Sequence, residues 1–400
     1  MSENTGYLVG SFSGTEWRDR YIENNPQIIW EDPRYHEQSS IKRLVTSDIS
    51  SARNNEFPVG HRRKGKALGT MSYAEMAEAR AKGKTIIVTD ENEENDSILE
   101  KIASYYTHSE EDTYNLLKNP ELLQSKYSSL PVKTTFGKYE KIFFAGDTHS
   151  ILDLTKKLNQ TKQIVTNGNL ENFSNNVDLV VINFEEGWND KGVFYLGLAH
   201  ALNIPSIILE GNNLAYPPLT GIANKTFFGK ERYNNLEKFL YCPNDFEFSL
   251  NTELEMNLAL NYANENGFEG ISKTSVTTPC KNVYFGGDTE NLKPTIHSLK
   301  HSGKKQIKNI TKDTDLIVVN FECGPNLTGL KEMYLGYKAK IPVILLSKEE
   351  ELHKEIAELS RRPLVGEKRF EQLNYYLENL NSQHINDEAV LYYKLMEKFK

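Results

Sequence analysis

The sequence predicts an α/β protein of three tandem domains, each a doubly wound parallel sheet. Three observations carry this. First, an ordered set of landmarks occurs twice. Lys141-Ile-Phe-Phe-Ala-Gly-Asp-Thr148 returns as Asn282-Val-Tyr-Phe-Gly-Gly-Asp-Thr289, Asp178-Leu-Val-Val-Ile-Asn-Phe-Glu185 as Asp315-Leu-Ile-Val-Val-Asn-Phe-Glu322, and Gly229-Lys-Glu-Arg-Tyr-Asn-Asn-Leu236 as Gly366-Glu-Lys-Arg-Phe-Glu-Gln-Leu373. The separations are 141 residues for the first landmark and 137 for the other two. A period this long marks a copied domain, because a solenoid unit is far shorter. Second, the strand-like runs are short and apolar on both faces, as in a parallel sheet covered by helices. Third, helical stretches alternate with them, which gives an open sheet with right-handed crossovers of the Rossmann or flavodoxin-like kind.

The N-terminal part reads as a more distant third copy. Tyr7-Leu-Val-Gly-Ser-Phe12 stands where Phe143-Phe-Ala-Gly146 does, and Asp48-Ile-Ser-Ser-Ala52 stands where Asp178-Leu-Val-Val-Ile182 does. The stretch Gly69 to Val88 then gives a loop glycine, a helix, a turn and a buried strand, and it is echoed by Gly192 to Leu209 and Gly329 to Leu346. Small residues (Ala77, Ala79, Gly197, Ala199, Gly336) allow such a helix to approach a sheet closely. One position on that helix is expected to change chemistry between copies: Glu75, Tyr195 and Tyr334. In the second copy the remaining helices are expected over 152–158 and 232–241.

Domain boundaries are placed where the pattern lapses, giving residues 1–132, 133–276 and 277–400. The polar stretch 112–133, with Pro120 and Pro131, reads as a connector, as does 243–279, with an amphipathic segment over 252–263 and the run Ser272 to Thr278. In an open parallel sheet, ligands sit beyond the carboxyl ends of the strands. Gly10, Gly146 and Gly287 lie there.

Composition narrows the function. The 400 residues carry a net charge of −8 and 38% apolar content, enough for real cores and unsuited to a nucleic-acid surface. The basic run His61-Arg-Arg-Lys-Gly-Lys66 reads as a solvated loop. Cys242, Cys280 and Cys323 lack CxxC spacing and fit a reducing compartment. The first residues show no basic run followed by an apolar one, and no apolar run is long enough to span a bilayer, so a soluble cytoplasmic protein without a membrane partner is expected. Neither a GxGxxG nor a GxxxxGK[ST] motif occurs, and the histidines have no ligand spacing, so no cofactor and no metal are expected.

The order of strand-x-x-Gly, Asp and strand, then Gly-x-x-Glu-x-Gly-x-Ala-x-Ala-x-Gly-Lys/Pro and a strand resembles the nucleoside 2-deoxyribosyltransferase family, which includes related N-glycoside hydrolases. The matching residues in copy one are Tyr7, Gly10, Phe12, Asp48 and Glu75, with Trp17-Arg18 and Asp32-Pro-Arg34 similar to a subgroup. Copies two and three match through Gly-Leu-Ala-His-Ala-Leu-Asn-Ile-Pro205 and Gly-Tyr-Lys-Ala-Lys-Ile-Pro342. The resemblance implies exchange or hydrolysis at the C1′ carbon of a nucleoside or nucleotide through an oxocarbenium-like centre. In that reading Glu75 is the nucleophile, Tyr7 orients it, Asp48 is a substrate-side carboxylate, and Phe12 is a wall for the base. It also implies oligomers in which a neighbour closes the pocket, a role that fused copies could fill within one chain.

The alternatives stand beside these roles. Glu75 alone could be a solvated helix residue. Asp147 and Thr148, and likewise Asp288 and Thr289, could contact a sugar or cap the turn that follows. The family's acid before the loop glycine is present as Asp190 in copy two, but copy one has Ala67-Leu68 there. Tyr195 and Tyr334 replace the carboxylate with a phenol, and Glu332 is expected to point elsewhere, so copies two and three read as degenerate. Two readings result: an N-glycosidic-bond enzyme active in copy one, or a catalytically inactive nucleotide-binding or sensing protein in which Tyr195 and Tyr334 stack on a base.

Overall fold

A computed structural model describes residues 4–10, 16–36, 40–66, 68–134, 139–165, 170–185, 187–211, 217–241, 280–299, 303–311, 313–322, 324–348 and 351–379. Phe12, the segment 242–279 with its expected helix, Cys242 and Cys323 lie outside the described residues. The chain divides into two compact units. One comprises residues 1–37, 45–184 and 188–207, and the other residues 38–44, 185–187 and 208–400.

Three sheets are built as the repeat requires. The first contains β1 (Thr5–Val9), β2 (Ile29–Glu31), β3 (Phe57–Arg62), β4 (Ile87–Asp90) and β5 (Tyr105–Thr107), parallel throughout in the order β2-β1-β3-β4-β5. The next strands are β6 (Lys141–Gly146), β7 (Gln163–Val165), β8 (Leu179–Phe184), β9 (Ser206–Glu210) and β10 (Lys225–Phe228). They are followed by β11 (Asn282–Gly287), β12 (Lys305–Ile307), β13 (Leu316–Phe321), β14 (Val343–Ser347), β15 (Glu351–His353) and β16 (Arg362–Val365). The third sheet has the order β12-β11-β13-β14-β16 and is again parallel. The second has the order β15-β10-β9-β8-β6-β7, and its edge strand β15 runs antiparallel to β10.

Helices flank each sheet. They are α1 (Glu16–Asn24), α2 (Ile41–Asn54), α3 (Thr70–Ala81), α4 (Ser97–Ile102), α5 (Glu110–Leu117), α6 (Leu152–Leu158), α7 (Phe173–Asn176) and α8 (Asp190–Ala201). The remainder described are α9 (Pro217–Ile222), α10 (Arg232–Tyr241), α11 (Lys293–Ser298), α12 (Leu327–Ala339), α13 (Lys354–Ala357) and α14 (Arg369–Asn379). No described helix is long and apolar enough to cross a membrane.

Strand register aligns the three copies. Tyr7 faces Pro58, Phe143 faces Val180 and Tyr284 faces Ile317, so Tyr7, Phe143 and Tyr284 occupy one position of the first strand. The same ladders make β3 the counterpart of β8 and β13. Asp48, expected at that strand, lies instead within α2. Its run Asp48-Ile-Ser-Ser-Ala52 has helical spacing of apolar residues, Val45, Ile49 and Ala52 being buried. The basic run is also corrected: His61 and Arg62 complete β3, and His61 is buried.

Helix α3 is buried along its whole length, from Thr70 to Ala81. A helix that faces protein on every side needs small residues, and Ala74, Ala77, Ala79 and Ala81 supply them. One side packs on α8, where Gly197 meets the backbone of Ala74. Helices α8 and α12 start alike: Asn189 and Asn326 accept hydrogen bonds from the amides of Gly192 (2.8 Å) and Gly329 (2.9 Å).

Candidate functional site

Counting from the N-caps sets the helix register. Glu75 lies six residues after Gly69, Tyr195 six after Asn189, and Glu332 six after Asn326. The residue equivalent to Glu75 and Tyr195 is therefore Glu332. Tyr334 aligns with Gly197 and sits in the apolar core beneath α12, with Leu330, Leu335 and Val343. This corrects the expected coincidence of Tyr195 with Tyr334. An aromatic residue two positions away had masked an unbroken spacing of 137 residues from Gly192 and Gly329 to Pro205 and Pro342.

Across the copies, the first-strand position and the helix position thus form Tyr7 with Glu75, Phe143 with Tyr195, and Tyr284 with Glu332. In the first pair, Glu75 and Tyr7 are both buried, at 5% and 0% exposure. Tyr7 Oη completes no hydrogen bond of ordinary geometry among the described residues. It nevertheless lies near enough to Glu75 to hold that carboxyl's pKa down. Burial dominates and pushes Glu75 well above the usual carboxylate range, with Asp48 adding to the rise and Arg18 opposing it. Burial likewise raises the Tyr7 phenol, helped by Asp48 and Glu75.

Asp48 joins this site from α2. Its Oδ1 lies 2.7 Å from His36 Nδ1, and the opposite ring nitrogen lies 3.2 Å from Glu31 Oε1. The His36 ring stacks on Tyr7 with centroids 6.0 Å apart. Burial works against the charged imidazole, but Asp48 and Glu31 outweigh it and raise its pKa. Burial raises Asp48 as well, against the pull of His36. The Trp17-Arg18 motif places an arginine beneath the strand end: Arg18 Nη2 donates to the Gly10 carbonyl at 2.8 Å, and its Nε lies 3.8 Å from Asp32 Oδ1. Asp32 in turn accepts from the amide and Nε of Arg34 at 3.0 and 2.7 Å. His36 lies two residues beyond the Asp32-Pro-Arg34 motif.

Domain two has no carboxylate at the equivalent place. Tyr195 packs on Phe143 (centroids 4.6 Å apart) and stacks on Phe173 (5.7 Å), and burial raises its phenol. In domain three, Tyr284 Oη donates to Glu332 Oε1 at 2.6 Å and the Gly287 amide donates to Glu332 Oε2 at 2.8 Å. Burial raises the Glu332 carboxyl, and these two donors hold it back.

Neither Asp147 nor Asp288 caps the turn that follows. The Asp147 carboxylate accepts from Asn189 Nδ2 at 3.0 Å. The Asp288 carboxylate accepts from the Glu322 amide at 2.8 Å and Asn326 Nδ2 at 3.3 Å. Each thereby ties the loop after the first strand to the N-cap of the helix that carries Tyr195 or Glu332. Gly146 and Gly287, with φ of +79° and +65°, permit the turn that leads into these aspartates. Thr148 opens a 3-10 turn and Thr289 is exposed, with no side-chain capping bond. The acid that copy one lacks before Gly69 is present as Asp190. It interacts with Tyr73 of α3, whose hydroxyl also donates to Asp96 at 2.5 Å.

Among the described residues, His61, Glu91 and Glu110 are close enough together to hold a metal ion. Arg20 already binds Glu110 through Nε and Nη2, and Tyr114 donates to the same carboxylate. The guanidinium thus occupies the charge-balancing role that an ion would have. Cys280 is buried.

No family model matches the chain, and no curated protein matches it. Among the solved structures that match, two are weakly similar over most of the chain. One is an enzyme isolated from Mycobacterium smegmatis and assigned as thiamin diphosphate-dependent, with 8% identity, a TM-score of 0.20, and coverage of 86% of this chain and 84% of that one. The other is the dinucleotide-forming acetyl-coenzyme A synthetase 1 of Ca. Korarchaeum cryptofilum, with 9% identity, a TM-score of 0.19, and coverage of 98% and 96%. Likeness at that level carries no argument about this chain. Its three α/β sheets of Rossmann-like form rest on the strand register itself.

Proposed function

We propose that the protein breaks or exchanges the N-glycosidic bond of a nucleoside or nucleotide, with Glu75 as nucleophile, as its resemblance to nucleoside 2-deoxyribosyltransferases implies. The observation that carries this reading is the buried Glu75 beside Tyr7, whose hydroxyl has no partner of ordinary geometry among the described residues. A buried donor without a partner costs about 1–3 kcal/mol, which a ligand hydroxyl or a Glu75 carboxylate drawn into line would recover.

In the reaction, one oxygen of ionised Glu75 bonds to C1′ as the C1′–N bond breaks, and the bond pair leaves with the base. Ionisation is favoured by Arg18 and Tyr7 and opposed by burial and Asp48. The His36–Asp48 pair stands beside the same site, where it would pass a proton to the departing base. The ester is then opened by water, giving hydrolysis, or by a second base, giving transfer.

The aromatic cluster of Phe143, Phe173 and Tyr195 favours a second reading for domain two, in which it holds a base or packs the core without chemistry. Incubation with mixed deoxynucleosides and deoxynucleotides, with and without an acceptor base, separates the two. Release or exchange of base supports the enzyme. Binding without any product supports a nucleotide-binding protein.

A further inference from the structure

We infer that domain three holds a second carboxylate site for the same class of ligand, built on Tyr284 and Glu332. The inference rests on the proposed function for the kind of ligand and goes beyond it in number and place of sites. Strand register puts Tyr284 where Tyr7 stands, and the N-cap count puts Glu332 where Glu75 stands. Domain two shows that the repeat does not enforce this pair, because Phe143 and Tyr195 occupy the same two positions and the sheet still forms.

The surroundings of Glu332 are shaped around its carboxylate. Gly286 has the carboxylate where a side chain would begin: an added Cβ would stand 1.9 Å from Oε2. Gly287 turns with φ +65° and aims its amide at the same oxygen. Beside it on β13, Asn320 is fully buried. Its Nδ2 donates to the Asp288 carbonyl at 2.8 Å, and its Oδ1 has no partner among the described residues. A buried acceptor without a partner among the described residues, on the residue paired with Gly287 across the ladder, fits a hydroxyl or N–H donor on a ligand.

The chemistry follows the same balance as at Glu75. One Glu332 oxygen bonds to C1′ as the C1′–N bond breaks, and the base leaves with the bond pair and takes up a proton from water. Water or a second base then opens the glycosyl ester. Tyr284 and the Gly287 amide are the donors that orient the carboxylate before attack.

The test starts from the full-length wild-type protein. It is incubated with a 2′-fluoro-arabino nucleoside, whose fluorine slows opening of a glycosyl ester, and the digested chain is mapped by mass spectrometry. Two labels per chain, on the peptides holding Glu75 and Glu332, are expected, and Glu332→Gln should remove one of them. A label on Glu332 alone supports this inference and overturns the role of Glu75. A label on Glu75 alone overturns the inference and leaves the proposed function standing. No label at either site, with no product from unmodified nucleosides, overturns both.

Discussion

Gly197 of α8 stands against Ala74 of α3, and a Cβ at Gly197 would lie 2.5 Å from Ala74 Cα. The clash would be with backbone, which cannot swing away as a flexible side chain can. Ala74 immediately precedes Glu75, so the crossing also fixes where the carboxylate stands. Gly197→Val should lower stability by about 1–3 kcal/mol through overpacking. Urea unfolding measures it, and an unchanged midpoint would show that the crossing yields.

Burial raises the folded-state pKa of Glu75, so the folded protein keeps a proton that the unfolded chain gives up at the ordinary carboxylate value. Between that ordinary value and the raised one, the folded state binds more protons, and the stability contribution of Glu75 falls as pH rises. Glu75→Gln abolishes the titration. Its melting temperature relative to wild type should therefore climb as pH goes from about 4 to about 8. A difference independent of pH would mean that Glu75 is solvated.

Tyr7 carries a buried hydroxyl without an ordinary partner, and its nearness lowers the Glu75 pKa. Tyr7→Phe should leave stability unchanged or raise it by about 1 kcal/mol. In turnover assays it should shift the rising limb of the kcat/KM profile to higher pH, because Glu75 would ionise less readily. A profile that stays in place would remove Tyr7 from the site.

Gly286→Ala would place a methyl group 1.9 Å from Glu332 Oε2. The carboxylate should swing off Tyr284 and Gly287, losing two hydrogen bonds from charged or part-buried groups, with a stability loss of about 1–3 kcal/mol. Urea unfolding reads the loss. Gly303→Ala, at a position open to solvent but with φ +71°, provides a comparison in which only backbone strain changes.

Much of this arrangement was legible in the sequence, for reasons tied to particular residues. The copied strands β6 and β8 returned as β11 and β13 because fully buried parallel strands leave continuous apolar runs such as Leu179 to Phe184. Tyr7 and Glu75 stand out in the sequence because a glycine and an alanine-rich helix give fixed points on either side. The five residues from Asp48 to Ala52 suit a strand as well as the helix they form, and so short a run does not separate the two.

Residue type pairs the two tyrosines and passes over Glu332, whereas the helix start fixes positions regardless of type. The strand β15, only Glu351 to His353, has no pattern of its own and is defined by its partner β10. His36 reaches the site through tertiary contacts with Asp48 and Tyr7, which no local spacing announces.

The most direct test of the central claim is the rate of base release or exchange by wild type and by Glu75→Gln, measured on whichever deoxynucleoside or deoxynucleotide gives product. Glutamine keeps the size of the side chain and removes the nucleophilic oxygen anion. Loss of the covalent route at Glu75 should remove that site's turnover by about a thousandfold or more, leaving in Glu75→Gln only the turnover of the Glu332 site, with ligand affinity nearly unchanged. Any residual turnover should then vanish in Glu75→Gln combined with Glu332→Gln. If the double variant turns over as fast as wild type, neither carboxylate is a nucleophile and the account is wrong.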